Sequence, residues 1–273
     1  MKKIILYILL VLSSFASTFK ISNLIIEQGD YFSISTDKDI EIIQISSEFI
    51  WTDLVQYKVE DKTYIKIPVH YANEQGYRNL IIDFKEKDET KREIYNIFIK
   101  KKEFPKSKIF VNEKMEKEGT GKNREERINK AKKARNSPIK NPIWTEDFIW
   151  PLTGTITTGF GYSRYINGKL TNWHNGLDIA QNKGENIIAS NEGVIVYSDY
   201  MKVTGNTIII DHGGNVFTGY AHMNSRLVDL GKKVRRGELI GTVGSTGFST
   251  GPHLHFTFSI GTTFVNPYLF LEN

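Results

Sequence analysis

The chain contains no cysteine. That excludes a disulfide framework, a thiolate nucleophile, a thiolate metal site and an acylated lipoprotein cysteine. A metal site here must be built from nitrogen and oxygen ligands. Long apolar runs are missing too. The only pronounced one, Ile4–Leu12, is short of the roughly 20 residues that a spanning helix needs,. Proline is scarce, with seven in 273 residues, and Pro138 and Pro142 fall close together. Histidine is also scarce. The chain has six, and four of them sit in three short motifs of the C-terminal half.

The Ile4–Leu12 run follows Met1-Lys2-Lys3 and precedes Ser13-Ser14-Phe15-Ala16. A basic start, a short apolar core and small residues at the end make a secretory signal, expected to be cleaved after Ala16. Residues 1–16 are therefore expected to be a signal peptide. The mature protein would then lie in the periplasm, in the cell envelope or outside the cell. Nucleic acid is disfavoured as a partner. The net charge of +5 is unevenly spread. Residues 100–143 hold fifteen Lys/Arg against six Asp/Glu, whereas residues 145–273 hold nine against ten. The basic middle reads first as a solvated helix and linker. It is also a candidate for attraction to an anionic cell-envelope polymer.

The expected fold class is all-β. Residues 17–103 alternate apolar and polar in runs such as Ile40–Ile45, Tyr64–Val69 and Ile94–Ile99. Period-two runs rich in Ile, Tyr and Phe mean short antiparallel strands, here a small β-sandwich of immunoglobulin-like type. His70 is expected to be an ordinary strand or surface residue. Residues 104–143 carry good helix formers with few apolar residues. They predict a polar helix at 123–135 followed by a proline-marked linker. Residues 144–273 return to short strands separated by glycines. Candidates are Ile187–Ala189, Gly193–Tyr197, Asn206–Asp211 and Asn215–Tyr220, with His212–Asn215 as a hairpin turn,.

The motifs are His174-Asn175-Gly176-Leu177-Asp178, Tyr220-Ala221-His222 and Gly251-Pro252-His253-Leu254-His255-Phe256. In a strand, residues two apart share a face. His253 and His255 then look into one cleft while Leu254 points to the core. If the first motif is extended, His174, Gly176 and Asp178 also share a face, and Gly176 leaves space between two candidate ligands. Two imidazoles and a carboxylate make three ligands of an open zinc site. Proton transfer would need further imidazoles, since no His-Glu-x-x-His is present, and His222 with one of the His253/His255 pair could supply it. The glycine-rich loop Gly244–Pro252 permits close approach of an extended substrate backbone. His212 is expected to shape its turn rather than to bind metal.

Together these motifs resemble the lysostaphin/LytM-type zinc metalloendopeptidases, which cut peptides in bacterial peptidoglycan. The resemblance covers residues 150–268, with lesser matches at Val234–Gly241 and Val265-Asn266-Pro267. It implies an antiparallel β peptidase domain of duplicated hybrid motif type over 144–273. It implies one zinc ion per chain, held by His174, Asp178 and His255. It implies that His222 and His253 act on the water and the oxyanion. All five positions are intact, which favours an active enzyme over a non-catalytic activator or scaffold for other wall hydrolases. Some members of the family are latent through an N-terminal zinc ligand, and no such residue is recognisable in 17–143. Peptidoglycan is the expected substrate, and the chain is expected to act as a monomer.

Overall fold

A computed structural model describes residues 17–110 and 121–271. The expected signal peptide, and residues 111–120 of the expected linker, lie outside the described residues. The chain is nearly all β, as its patterning implies.

Two four-stranded sheets form the N-terminal part. One runs Lys20–Ile21, Tyr31–Thr36, Lys62–Pro68, Gln56–Val59. The other runs Ile25–Glu27, Glu89–Lys100, Gly76–Glu86, Glu41–Ser46. The alternation does what period two requires. Phe32, Ile34, Ile65 and Ile67 from the first sheet meet Leu80, Ile82, Ile97 and Ile99 from the second in one buried core. That is a sandwich. It is not wholly antiparallel, because Ile25–Glu27 pairs parallel with Phe98–Lys100.

The middle segment differs from expectation in two ways. Lys106–Ile109 is not linker but a strand, parallel to Ser163–Ile166 of the C-terminal part. The helix is present as Gly121–Ala134, yet it is not simply solvated. Just beyond its end, Arg135 is buried. Its Nε donates to Ser259 Oγ at 3.1 Å and its Nη1 to the Ala131 carbonyl at 3.0 Å. Its guanidinium lies 5.6 Å from the ring centroids of both Phe217 and Phe264. Burial lowers its pKa to about 10. A buried, stacked guanidinium fastens the helix to the C-terminal sheet.

That sheet carries the site. Its order is Thr155–Thr158, Leu177–Ala180, His253–Ile260, Val216–Met223, Gly205–Asp211, Gly193–Met201, Lys233–Val234, with Thr263–Val265 beside His253–Ile260. Val216–Met223 is buried along its whole length, as a central strand must be,. The predicted turn joins it to Gly205–Asp211, with Gly213, Gly214 and Asn215 all at positive φ. Tyr31 stacks on Phe270 at 4.9 Å across the two β regions, and Asn266 N–H donates to the Gly29 carbonyl at 2.8 Å.

His212 does not shape the turn with its ring; Asp211 accepts from Gly213 N–H and does that work. The His212 ring is buried. Its Nδ1 donates to the Glu192 carbonyl at 2.6 Å and its Nε2 pairs with the Thr218 hydroxyl at 2.8 Å. Burial pushes its pKa down to about 4. A base whose pKa is depressed on folding favours the native state above its unfolded value, and that contribution disappears as pH falls through the folded value. From about 6.5 down to 4, His212 should cost the fold about 3 kcal/mol,. Denaturant unfolding across this range should show a steeper acid loss in the wild type than in His212→Gln.

Candidate active site

Register builds the site. Asp178 lies opposite His255 and Ala180 opposite His253, while Ala221 faces His255 from the other side. Directly opposed side chains on one face are close enough to share a ligand. Leu254, Phe256 and Phe258 point into the core, so His253 and His255 share the opposite face, as their spacing predicts.

His174 arrives differently. It lies in the bend between the strands Lys169–Trp173 and Leu177–Ala180, so strand parity with Asp178 does not place it. Gly176 also has another role than leaving space between ligands. A Cβ there would stand 2.1 Å from the Phe256 carbonyl oxygen. Glycine lets the bend press against the strand that carries His255, and that close approach brings the three groups together.

His174 Nε2, Asp178 Oδ1 and His255 Nδ1 are mutually 2.7–2.9 Å apart. All three residues are buried. The outer nitrogens fix the tautomers. His174 Nδ1 donates to the Gly159 carbonyl at 2.8 Å, and His255 Nε2 donates to Asn175 Oδ1 at 3.1 Å. The inner nitrogens are therefore bare lone pairs facing a carboxylate oxygen. Burial keeps both rings neutral: it lowers His174 and pushes His255 down to about 3. Three acceptors converging in a buried place repel one another, and a cation relieves that repulsion. The donor set fits a divalent ion that accepts imidazole and carboxylate. The second oxygen of Asp178 is engaged by Arg164 Nη2 at 3.0 Å.

His222 and His253 form the facing wall, with ring centroids 4.7 Å apart. Strict alternation along Val216–Met223 would put His222 on the core face with Tyr220. Instead His222 adopts φ +60°. This left-handed conformation is costly for a non-glycine residue. It turns the ring to within 6.0 Å of the His255 ring, between centroids. His222 Nδ1 donates to the Thr246 carbonyl and His253 Nδ1 to the Gly251 carbonyl, each at 2.8 Å. The Nε2 atoms are left free of these carbonyls, and that of His253 is 3.8 Å from Asp178 Oδ1. Burial, then the neighbouring His253, brings the His222 pKa down to about 4, so the ring is neutral near pH 7.

The cleft runs to both sides of this cluster. One arm, about 340 Å³, is lined by Thr158, Asp178, His253 and the loop Phe248–Pro252. The glycine-rich loop therefore flanks the cleft, as expected. The other arm, about 240 Å³, is lined by Tyr71, Arg124, Arg127, Arg164, His222 and His255. His70 also lines it. His70 is neither strand nor ordinary surface: its ring packs at a tilt against Trp51 at 4.6 Å and Tyr71 at 3.9 Å, and burial lowers its pKa to about 4. Arg164, Asn175 and the Gly159 and Thr246 carbonyls are contributors that motif reading missed. Asn175, inside the first motif, and Thr246, inside the glycine-rich loop, lay in segments the sequence singled out; Arg164 and Gly159 carried no signal.

Residues 172–267 match the model of peptidase family M23. The peptidoglycan DD-endopeptidase ShyC of Vibrio cholerae is 40% identical over 94 residues, which cover 34% of this chain and 22% of that one. The match therefore spans less than a quarter of that relative's length. The catalytic domain of the antimicrobial peptidase lysostaphin from Staphylococcus simulans is 32% identical, covering 42% of this chain and 90% of that one, with a TM-score of 0.39. A Pseudomonas aeruginosa crystal structure assigned to peptidase M23 shares the fold across 87% of this chain and 91% of its own, with a TM-score of 0.61 at 20% identity. The chain contains a peptidase M23 domain, at residues 172–267.

Proposed function

We propose that this chain is an exported, zinc-dependent endopeptidase that hydrolyses peptide bonds in bacterial peptidoglycan. The observation that carries the reading is the convergence of His174 Nε2, Asp178 Oδ1 and His255 Nδ1 as bare acceptors, faced by two imidazoles whose Nδ1 atoms are held by backbone carbonyls. The family match and the activity of ShyC support peptide hydrolysis in the cell wall. That substrate places the protein at the cell envelope.

His174, Asp178 and His255 would hold the ion. When bound there, zinc supplies Lewis acidity, polarising the scissile carbonyl and acidifying water. Arg164 occupies Asp178 Oδ2 and so directs Oδ1 to the cluster. His222 or His253 accepts the proton of the attacking water at Nε2, and burial keeps the His222 ring neutral for that role near pH 7,. The imidazolium so formed is a donor. It can steady the developing oxyanion and then hand the proton to the leaving amine. A non-catalytic activator would need no such pair of cleft-facing bases.

Incubating the chain with purified sacculi should turn cross-linked muropeptides into monomers, each cut exposing a free amine while glycan strands stay intact. New sugar reducing ends, or intact cross-links after prolonged incubation with zinc, would overturn the reading.

A further inference from the structure

The arm of the cleft beside His222 and His255 has an unusual charge. Arg124 and Arg127 stand on one face of the helix Gly121–Ala134, three residues apart, and Arg164 comes from the strand Ser163–Ile166,. In each of the three, Nε is buried with no hydrogen-bond partner. Neither Arg124 nor Arg127 makes an ion pair with a described residue. The helix's acids do not compensate them, since Glu126 pairs outward with Lys130 at 2.9 Å and Glu125 is exposed. Asp178 is the carboxylate that meets the cluster. It touches only Arg164, and its other oxygen is committed to the two histidines. Asn172 Oδ1, also buried and unpartnered, lies in the same arm and can accept a peptide N–H.

Among the described residues Asp178 alone offsets these three guanidinium groups, and in a half-buried cleft they repel one another. Burial first, then the charges of Arg124 and Arg164, draws the Arg127 pKa below the usual guanidinium range. An anion with two oxygens relieves this, because a carboxylate accepts two parallel N–H bonds from a guanidinium fork. Neutral peptide gains nothing comparable.

We propose that Arg124, Arg127 and Arg164 form a subsite for a substrate carboxylate next to the scissile bond. The chain is then selective for acidic peptide cross-links over neutral glycine bridges. This rests on the endopeptidase reading above. The distinction is chemical. In a D-alanyl–diaminopimelate cross-link, the carbon that bears the scissile nitrogen also bears a free carboxylate, whereas a glycine bridge has none.

The test uses two synthetic cross-linked peptides, one with that carboxylate free and one with it as a carboxamide. Binding is read by calorimetry in the full chain carrying His222→Ala, where turnover is suppressed. The carboxylate peptide should bind 10- to 100-fold more tightly, about what one or two charged hydrogen bonds contribute. Adding Arg124→Gln and Arg127→Gln, which keep helix propensity, should bring the two affinities together. Arg127→Lys, which keeps the charge and loses the fork, should fall between. Equal affinities in the arginine-intact protein, or a preference that survives both glutamines, would overturn the subsite. Cleavage is followed in parallel with the wild-type chain. If neither peptide is cut while the affinity difference persists, the subsite stands and the endopeptidase reading falls.

Discussion

His255→Ala should remove the bound cation and the hydrolytic activity together. Among the described residues His255 Nδ1 is one of three converging donors, 2.7 Å from Asp178 Oδ1 and 2.9 Å from His174 Nε2. Two donors cannot hold a borderline ion as three do. Losing a group that merely orients a ligand costs about 10- to 100-fold in affinity, and losing the ligand itself should exceed that. The strand should survive. Leu254 and Phe256, its neighbours on the core face, keep their packing, and the substitution relieves a cluster of mutually repelling acceptors. Elemental analysis should find less than a tenth of an equivalent of zinc in the purified variant, with hydrolysis of sacculi at background. A variant that kept a full equivalent of zinc would remove His255 from the ligand set.

His222→Ala should separate chemistry from binding. His222 makes no contact with the three donors that would change their number. Its ring is held by the Thr246 carbonyl and faces His253. Removing one positioned base should lower kcat by about 10²- to 10⁴-fold, with zinc still at one equivalent. The backbone adds a second signature. Position 222 is at φ +60°, which glycine adopts without cost,. His222→Gly should therefore fold and bind zinc as readily as His222→Ala and be equally inactive. Retained activity in either variant would leave His253 as the base that matters.

Much of this site was legible because strands obey a period of two. His253 and His255 are two apart and do share a face. The turn at His212–Asn215 announced itself by two glycines and an asparagine, all of which take positive φ. What parity could not supply were the positions where the backbone leaves the strand. His174 sits in a bend, and His222 reverses its face through a left-handed residue. Gly176 is glycine because Phe256 O crowds it, a contact with a residue 80 positions away. The middle segment was misjudged for a related reason. A run of Lys and Arg reads as solvated, and sequence does not say which of them a neighbouring sheet will cover. Arg135 stacks between Phe217 and Phe264, and Arg124 and Arg127 turn into the cleft. Likewise, Lys106–Ile109 becomes a strand only because Ser163–Ile166 offers it an edge,.

The central claim is that a cation on His174, Asp178 and His255 drives peptide hydrolysis in the wall. The most direct measurement strips the full-length chain with a chelator, removes the chelator and titrates zinc back while following muropeptide release from purified sacculi. Activity should vanish on stripping and return in proportion to zinc up to one equivalent. Unchanged release from the stripped protein would contradict the account.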